Sequence, residues 1–307
     1  MIKKFLKRIF RPVHLIHNAE NMVTISKIEN LEILAAKALI LANENRKNLN
    51  IQDYEFKVFS QWGDDGIIQF LIRIIDIPFK TFVEFGVQDY SESNTRFLLM
   101  NNNWDGYIMD GSKDYIDHVK KQEYYWRFNL TAKTAFITAE NINQLLRGTS
   151  FQKEIGIYHI DIDGNDYWIW KHTTEINPVI VIVEYQSVFG CSKAITTPYQ
   201  SDFVRSTAHY SNLYYGASIL ALCDLAEEKG YYFVGCNSAG NNAYFVRKDK
   251  IGTLKPLTAS EGYVCSKFRE SRNESGDLTF LQGEDRLASL KGMSVFNIRT
   301  NNLEQLG

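Results

Sequence analysis

The sequence predicts an α/β fold: a mostly parallel sheet covered by helices on both faces and ending in an antiparallel hairpin. Three observations lead there. From Thr81 onward, the short apolar runs TFVEFG, GYIMDG, IGIYHIDIDG and PVIVIVEY alternate with helical segments. These runs are continuously apolar, the texture of strands buried on both faces. After the amphipathic helix GASILALCDLAEEKG, the stretch YYFVGCNSAGNNAYFVRKD reads as two strands joined by a Gly/Asn-rich turn.

Taken in order, residues 1–58 read as an N-terminal helical extension. At its start Lys3, Lys4, Lys7, Arg8 and Arg11 alternate with Ile2, Phe5, Leu6, Ile9 and Phe10. A helix there has one basic and one apolar face, suited to packing on protein or to peripheral membrane contact through residues 1–15. Leu31, Ile33, Leu34 and Leu39 continue a helical stripe. In FSQWGDDGIIQFLIRII, Asp64 or Asp65 is expected to cap a helix beginning near Gly66. The sheet-forming domain is expected over 59–255. The polar, turn-rich remainder, 256–307, reads as an arm, a lid or a contact in a homo-oligomer.

Composition narrows the function classes. The 307 residues are 45% hydrophobic and 23% charged, enough for a sizeable core, and the net charge of −2 argues against a nucleic-acid binder. The four cysteines are scattered without a CxxC pair, which argues against a zinc knuckle and fits reduced thiols in the cytoplasm. No apolar run has the length of a membrane span.

In open α/β sheets ligands bind outside the carboxyl ends of the strands, so the acids there are the candidates: Glu84, Asp110, Asp161 with Asp163, and Glu184. EFGVQDYSES carries one glycine, short of the three that a dinucleotide fingerprint needs, which weighs against an NAD-dependent dehydrogenase. Asp110, 26 residues after Glu84, is placed to accept ribose hydroxyls. Two acids at adjoining strand ends repel phosphates and suit a neutral or cationic nucleoside.

EFG, MDGS and the final hairpin resemble, respectively, the first motif, the ribose-binding acid and the antiparallel seventh strand of the class I S-adenosylmethionine-dependent methyltransferases. More narrowly, SQWGDDGIIQFL, DIDGNDYW and GASILALCDLAEEKGYYFVGCN resemble the FkbM-like methyltransferases, over roughly Phe59 to Lys248. The resemblance implies a Rossmann-like three-layer α/β/α sandwich around seven strands, with S-adenosyl-L-methionine as cofactor. It also implies O-methyl transfer to a small polar acceptor, a sugar or sugar-linked group of a surface polysaccharide. On it, Gln61, Asp64, Glu84, Gly86, Asp110, Gly111, Ser112, Thr138 and Asp161 are expected to bind the cofactor. Gln61 and Asp64, with Asp65, would close over the methionine end. TAENIN (138–143) resembles the segment flanking the adenine, with Thr138 also capping a helix.

The stretch YHIDIDGNDY raises the catalytic question. A strand from Ile155 to Asp163 places His159, Asp161 and Asp163 on one face, where Asp161, Asp163 and Glu184 are expected to converge. Such oxygen ligands suit a divalent cation, magnesium or manganese. Without one, His159 or Asp161 is the candidate general base; a satisfied core histidine is the plainer account of His159. Gly164 is expected in a left-handed turn, with Asn165 or Asp166 capping the next helix. The aromatic-rich segment from Tyr185 to Tyr215 is a candidate acceptor wall. The competing class is a non-catalytic cofactor-binding or scaffold module at a membrane surface.

Overall fold

A computed structural model describes residues 26–46, 50–149, 151 and 153–307, so the expected amphipathic segment 1–15 lies outside the described residues. The chain divides into two compact units, Met1–Arg46 and Lys47–Gly307. In the first, the predicted helical periodicity forms α1 over 26–42. Among the described residues no helix is long and apolar enough to cross a membrane.

The second unit runs α2 (Asp64–Ile74), β1 (Thr81–Phe85), α3 (Arg96–Asn102), β2 (Asp105–Asp110), α4 (Lys113–Val119), α5 (Glu123–Arg127), β3 (Leu130–Thr134), α6 (Ile142–Arg147), β4 (Glu154–Ile160) and α7 (Asp166–His172). It continues through β5 (Asn177–Glu184), β6 (Ile195–Thr196), α8 (Arg205–Ala208), α9 (Ile219–Lys229), β7 (Tyr231–Cys236), β8 (Asn242–Arg247), α10 (Ala259–Gly262), α11 (Glu284–Ala288), β9 (Ser294–Asn297) and β10 (Asn302–Gln305). Seven strands form one sheet in the order β3-β2-β1-β4-β5-β8-β7. β8 pairs antiparallel with both β5 and β7, while the other pairings are parallel. This is the expected mostly parallel Rossmann-like sheet ending in an antiparallel hairpin.

Side chains alternate between the two faces, as the strand period requires. Val83, Phe85, Tyr158, Ile160, Val181 and Val183 join a core with Leu146 of α6, Trp170 of α7 and Leu222 of α9. Phe82, Ile157, Ile180 and Ile182 join the opposite core with Leu71 of α2, Leu99 of α3 and Ile116 of α4. The result is three layers around central strands buried on both faces, with the edge strand β3 alternating between buried and exposed residues.

The segment from 256 onward belongs to this second unit. β9 pairs with β10 and, antiparallel, with β6, the short strand that follows β5. Val295, Leu290 and Leu306 enclose a third core with Phe189, Phe203, Tyr214 and Tyr215. The Tyr214 hydroxyl donates to the Ser294 carbonyl, tying the aromatic segment to this small sheet.

Candidate functional site

The order of the sheet reverses between β1 and β4: β2 and β3 continue on one side, β5 and the hairpin on the other. Two adjoining cavities open there, of about 650 and 530 Å³, and share Gly86, Gln88 and Asp161.

The larger cavity is lined by Asp110, Gly111, Ala135, Phe136 and Ile137, and on the far side by Asn165 and Phe203. Asp110 ends β2. Its Oδ2 accepts the Gln88 N–H at 2.8 Å and its Oδ1 accepts the Ser112 N–H at 2.7 Å. Each oxygen keeps a lone pair for a further donor. Phe136 is 52% exposed, an aromatic face left bare at the cavity wall. Ser112, expected to bind cofactor, instead caps α4 by accepting the Tyr115 N–H. Thr138 and Asn141 exchange reciprocal bonds ahead of α6, the capping expected of Thr138, but Thr138 is absent from the lining. The residues that line this side are 135–137, immediately before TAENIN.

The smaller cavity lies across Gly86, whose φ is +69°. A Cβ built there falls 1.7 Å from the Asp161 carbonyl oxygen, so the chain crosses the segment just beyond β4 at a distance only glycine permits. Gly86→Ala is expected to destabilise the fold by about 1–3 kcal/mol and to distort both cavities together. Thermal melting checks it, and an unchanged midpoint would contradict the crossing.

Glu84 reaches this cavity with its oxygens already engaged. Oε1 accepts from the Asn94 N–H at 2.9 Å and from His159 Nδ1 at 2.8 Å; Oε2 accepts from Ser93 Oγ at 2.5 Å and from Thr95 Oγ1. His159 Nε2 faces the Asn94 side-chain amide at 3.2 Å. Burial alone would raise the Glu84 pKa, but the bonds to His159, Ser93 and Thr95 lower it below its usual value. Burial opposes charge on His159, and the Glu84 carboxylate outweighs it and raises the pKa. Both ring nitrogens are spent, so His159 is a satisfied core residue and not a free base. Glu84 folds the loop 93–95 and is not a free cofactor ligand.

The aspartate pair is likewise structural. Asp64 is fully buried and accepts from Asn237 Nδ2 and Asn242 Nδ2, each at 3.1 Å, and from the Tyr244 hydroxyl. Asp65 Oδ2 accepts the N–H groups of Val58, Phe59 and Ser60 at 2.7–2.9 Å. Burial pushes the Asp65 pKa up to about 6 despite these bonds. Neither caps α2, which begins at Asp64 behind Gly63 with no side-chain cap. Asp64 thus clamps the hairpin and does not line the cavity. Gln61 does line it, at the exposed rim, where Lys57 Nζ donates to its carbonyl at 2.9 Å. The Gly/Asn-rich turn adds lining residues that turn chemistry concealed: Asn241, and Asn242 with a buried Oδ1 that has no partner.

Asp161 borders both cavities, and among the described residues its carboxylate has no hydrogen-bond donor. β4 ends at Ile160, so the two-residue alternation stops before Asp163. Asp163 itself takes the left-handed conformation expected of Gly164, at φ +56°, and pairs outward with Arg205 Nη1 at 2.6 Å. Gly164 is needed for space: its Cβ would sit 2.2 Å from the Phe203 ring. The acids that converge are Asp161, Asp166 and Glu184, with ligand oxygens within 4.8 Å of one another. Asp166 folds the loop back by accepting the Ile162 and Gly164 N–H groups at 2.8 and 2.9 Å. Glu184 Oε2 is buried with no partner among the described residues.

Burial first, then the Asp163 charge, pushes the Asp161 pKa up to about 7. Burial, and then Asp161, lifts Glu184 well above the carboxylate range. Near neutrality this cluster holds a proton, because carboxylates this close do not all ionise. Arg205 offsets part of the charge and stacks over Tyr215, 3.9 Å from the ring centroid. Nothing in the sequence pattern singled out Arg205, which comes from a four-residue helix in the aromatic segment.

A scan against protein-family models found no match, and neither did a search of curated proteins. Solved structures with some likeness include the N-terminal domain of EvdMO1 with SAH bound, at 10% identity over 72% of this chain and 94% of that one, TM-score 0.38. Another is the DszA carbon methyltransferase, at 12% identity and TM-score 0.37, where the match covers 62% of this chain and about half (53%) of that one. TrmK from M. capricolum in complex with SAH matches at 11% identity over 60% of this chain and 68% of that one, TM-score 0.34.

Proposed function

We propose that the chain is an S-adenosylmethionine-dependent O-methyltransferase acting on a small polar acceptor, a sugar or sugar-linked group of a surface polysaccharide. The observation that carries this reading is the continuous cleft from Asp110 and bare Phe136, past Gly86, to the undonated carboxylate of Asp161. The residues fit the cofactor. Asp110 retains acceptor capacity for two ribose hydroxyls, and Phe136 offers a stacking face for adenine. The orphaned Asn242 Oδ1 and the Gln61 amide suit the amino and carboxylate groups of the methionine end.

When bound, the cofactor supplies a methyl group already activated by a positive sulfur. The chain then has to position the acceptor and remove one proton. Asp161 takes the hydroxyl proton of the acceptor as the new carbon–oxygen bond forms. Its pKa near 7 suits a base working near neutrality. Phe203 forms the aromatic side against which a sugar ring packs. The FkbM-like resemblance of SQWGDDGIIQFL and of the hairpin run supports the sugar-type acceptor.

A second reading is favoured by the convergence of Asp161, Asp166 and Glu184. These three, in place of the expected Asp161, Asp163 and Glu184, would hold a magnesium or manganese ion, which when bound lowers the pKa of an acceptor hydroxyl. The unpartnered Glu184 Oε2 fits such an ion as well as it fits a shared proton.

Calorimetry with S-adenosylhomocysteine tests the cofactor half. The wild type is expected to bind, and Asp110→Ala to weaken binding at least about tenfold through loss of charge-assisted hydrogen bonds. Absence of binding by the wild type would remove the methyltransferase reading.

A further inference from the structure

Arg286 of α11 lies almost wholly inside the protein, 4% exposed, and among the described residues no carboxylate pairs with it. Its Nη1 donates to Ser266 Oγ, and its Nε is buried with no acceptor. A second buried donor, Trp62 Nε1, is also without an acceptor among the described residues. Both groups rest against Phe268: the Trp62 ring stacks on it at 5.9 Å and 18°, and the guanidinium sits 5.9 Å from its centroid.

The position of this pair relates to the cleft. Ser266 bonds Ser187 Oγ at 2.8 Å, three residues beyond Glu184 at the carboxyl end of β5. Trp62 follows Gln61, which lines the methionine-side cavity. Burial first, and then the Arg205 charge on the acceptor side, lowers the Arg286 pKa. The other arginine there, Arg205, is neutralised by Asp163. Arg286 is the cation left over.

A buried guanidinium is stable only when paired and hydrogen-bonded, and it matches planar or tetrahedral oxyanions through several donors at once. A neutral acceptor would leave its charge uncompensated. We propose that Arg286 and Trp62 Nε1, which share Phe268 as a neighbour, form a subsite for an anionic group, a carboxylate or a phosphate, carried by the methyl acceptor. The assignment to the acceptor rests on the methyltransferase reading; the anion site itself does not. The acceptor class becomes an acidic or phosphorylated sugar.

The test uses the full chain with S-adenosylhomocysteine present, at fixed ionic strength, followed by ¹⁵N–¹H spectra of the five tryptophan indoles. Trp62→Phe assigns the Trp62 signal. Titration with D-glucuronate and with D-glucose 6-phosphate is expected to move that signal saturably, and D-glucose is expected to leave it in place. Whichever anion binds more tightly tells carboxylate from phosphate. Arg286→Gln is expected to weaken binding by at least about tenfold, and Arg286→Lys by about threefold or more through loss of the planar fork. A signal that ignores both anions, that moves equally with glucose, or that keeps its affinity in Arg286→Lys overturns the proposal. Should Arg286→Gln fail to fold, judged by the other indole signals, Arg286→Lys decides. Calorimetry with S-adenosylhomocysteine on the same samples separates the two readings. Anion binding without cofactor binding removes the methyltransferase reading alone, and cofactor binding without anion binding removes the subsite alone.

Discussion

Asp161→Asn is expected to lower the rate of methyl transfer by about 100- to 10,000-fold, the usual worth of a positioned general base. Affinity for S-adenosylhomocysteine should change far less, because the proposed nucleoside contacts, Asp110 and Phe136, lie at the other end of the cleft. The substitution preserves shape and removes only the capacity to take a proton. In the wild type, burial and the neighbouring Asp163 charge raise the Asp161 pKa to about 7. The base works when deprotonated, so kcat/KM should rise with pH through about 7 and level off above it, and the Asp161→Asn variant should lose that rise. Activity insensitive to EDTA goes with this profile. Loss of activity in EDTA, restored by manganese, with an equal defect in Glu184→Gln, would transfer the role to a cation held by Asp161, Asp166 and Glu184. A variant turning over at the wild-type rate would exclude Asp161 from the chemistry under either reading.

The difference between Asp161 and its neighbours also marks how far the sequence could be read. The strands β1, β2, β4 and β5 were legible because two-sided burial makes each a continuous apolar run. The hairpin was legible from its Gly/Asn turn. β3, LTAKT, escaped because an edge strand with an alternating buried and exposed pattern carries little apolar signal. β6 is two residues long, and its sheet is assembled from partners a hundred residues away.

For the site, chain order located acids at the strand ends but could not say what each one faces. Glu84 and Asp64 look like ligands in the sequence and are consumed by Ser93, Thr95 and His159, and by Asn237, Asn242 and Tyr244. Those partners come from a neighbouring strand, from the hairpin and from loop 93–95, which only the tertiary fold brings beside the acids. Asp163 turned outward because β4 stops at Ile160, and strand ends are the least determinate feature of a sequence pattern. Asp166, read as a cap, became the third acid instead.

Glu84→Ala is expected to cost about 3–5 kcal/mol of stability, the usual effect of removing one partner from a buried charged network. The substitution strands His159 Nδ1, the Ser93 and Thr95 hydroxyls and the Asn94 N–H inside the protein at once. Loop 93–95 precedes α3, and its Ser93 and Asn94 line the smaller cavity, so on the proposed reading cofactor affinity should fall with stability. Glu84→Gln isolates the charge. The Glu84 pKa is lowered by folding from 4.5, so its contribution is present above that value and lost as pH falls through the folded pKa. The His159 pKa is raised from 6.5, so its contribution is present below that value and lost as pH rises through the folded pKa. The wild type should therefore exceed Glu84→Gln in stability most clearly between about pH 4.5 and 6.5, narrowing on both sides. Urea unfolding of the two proteins across that range measures it. A difference independent of pH would mean that Glu84 and His159 form a neutral hydrogen bond, with the loop held by geometry alone.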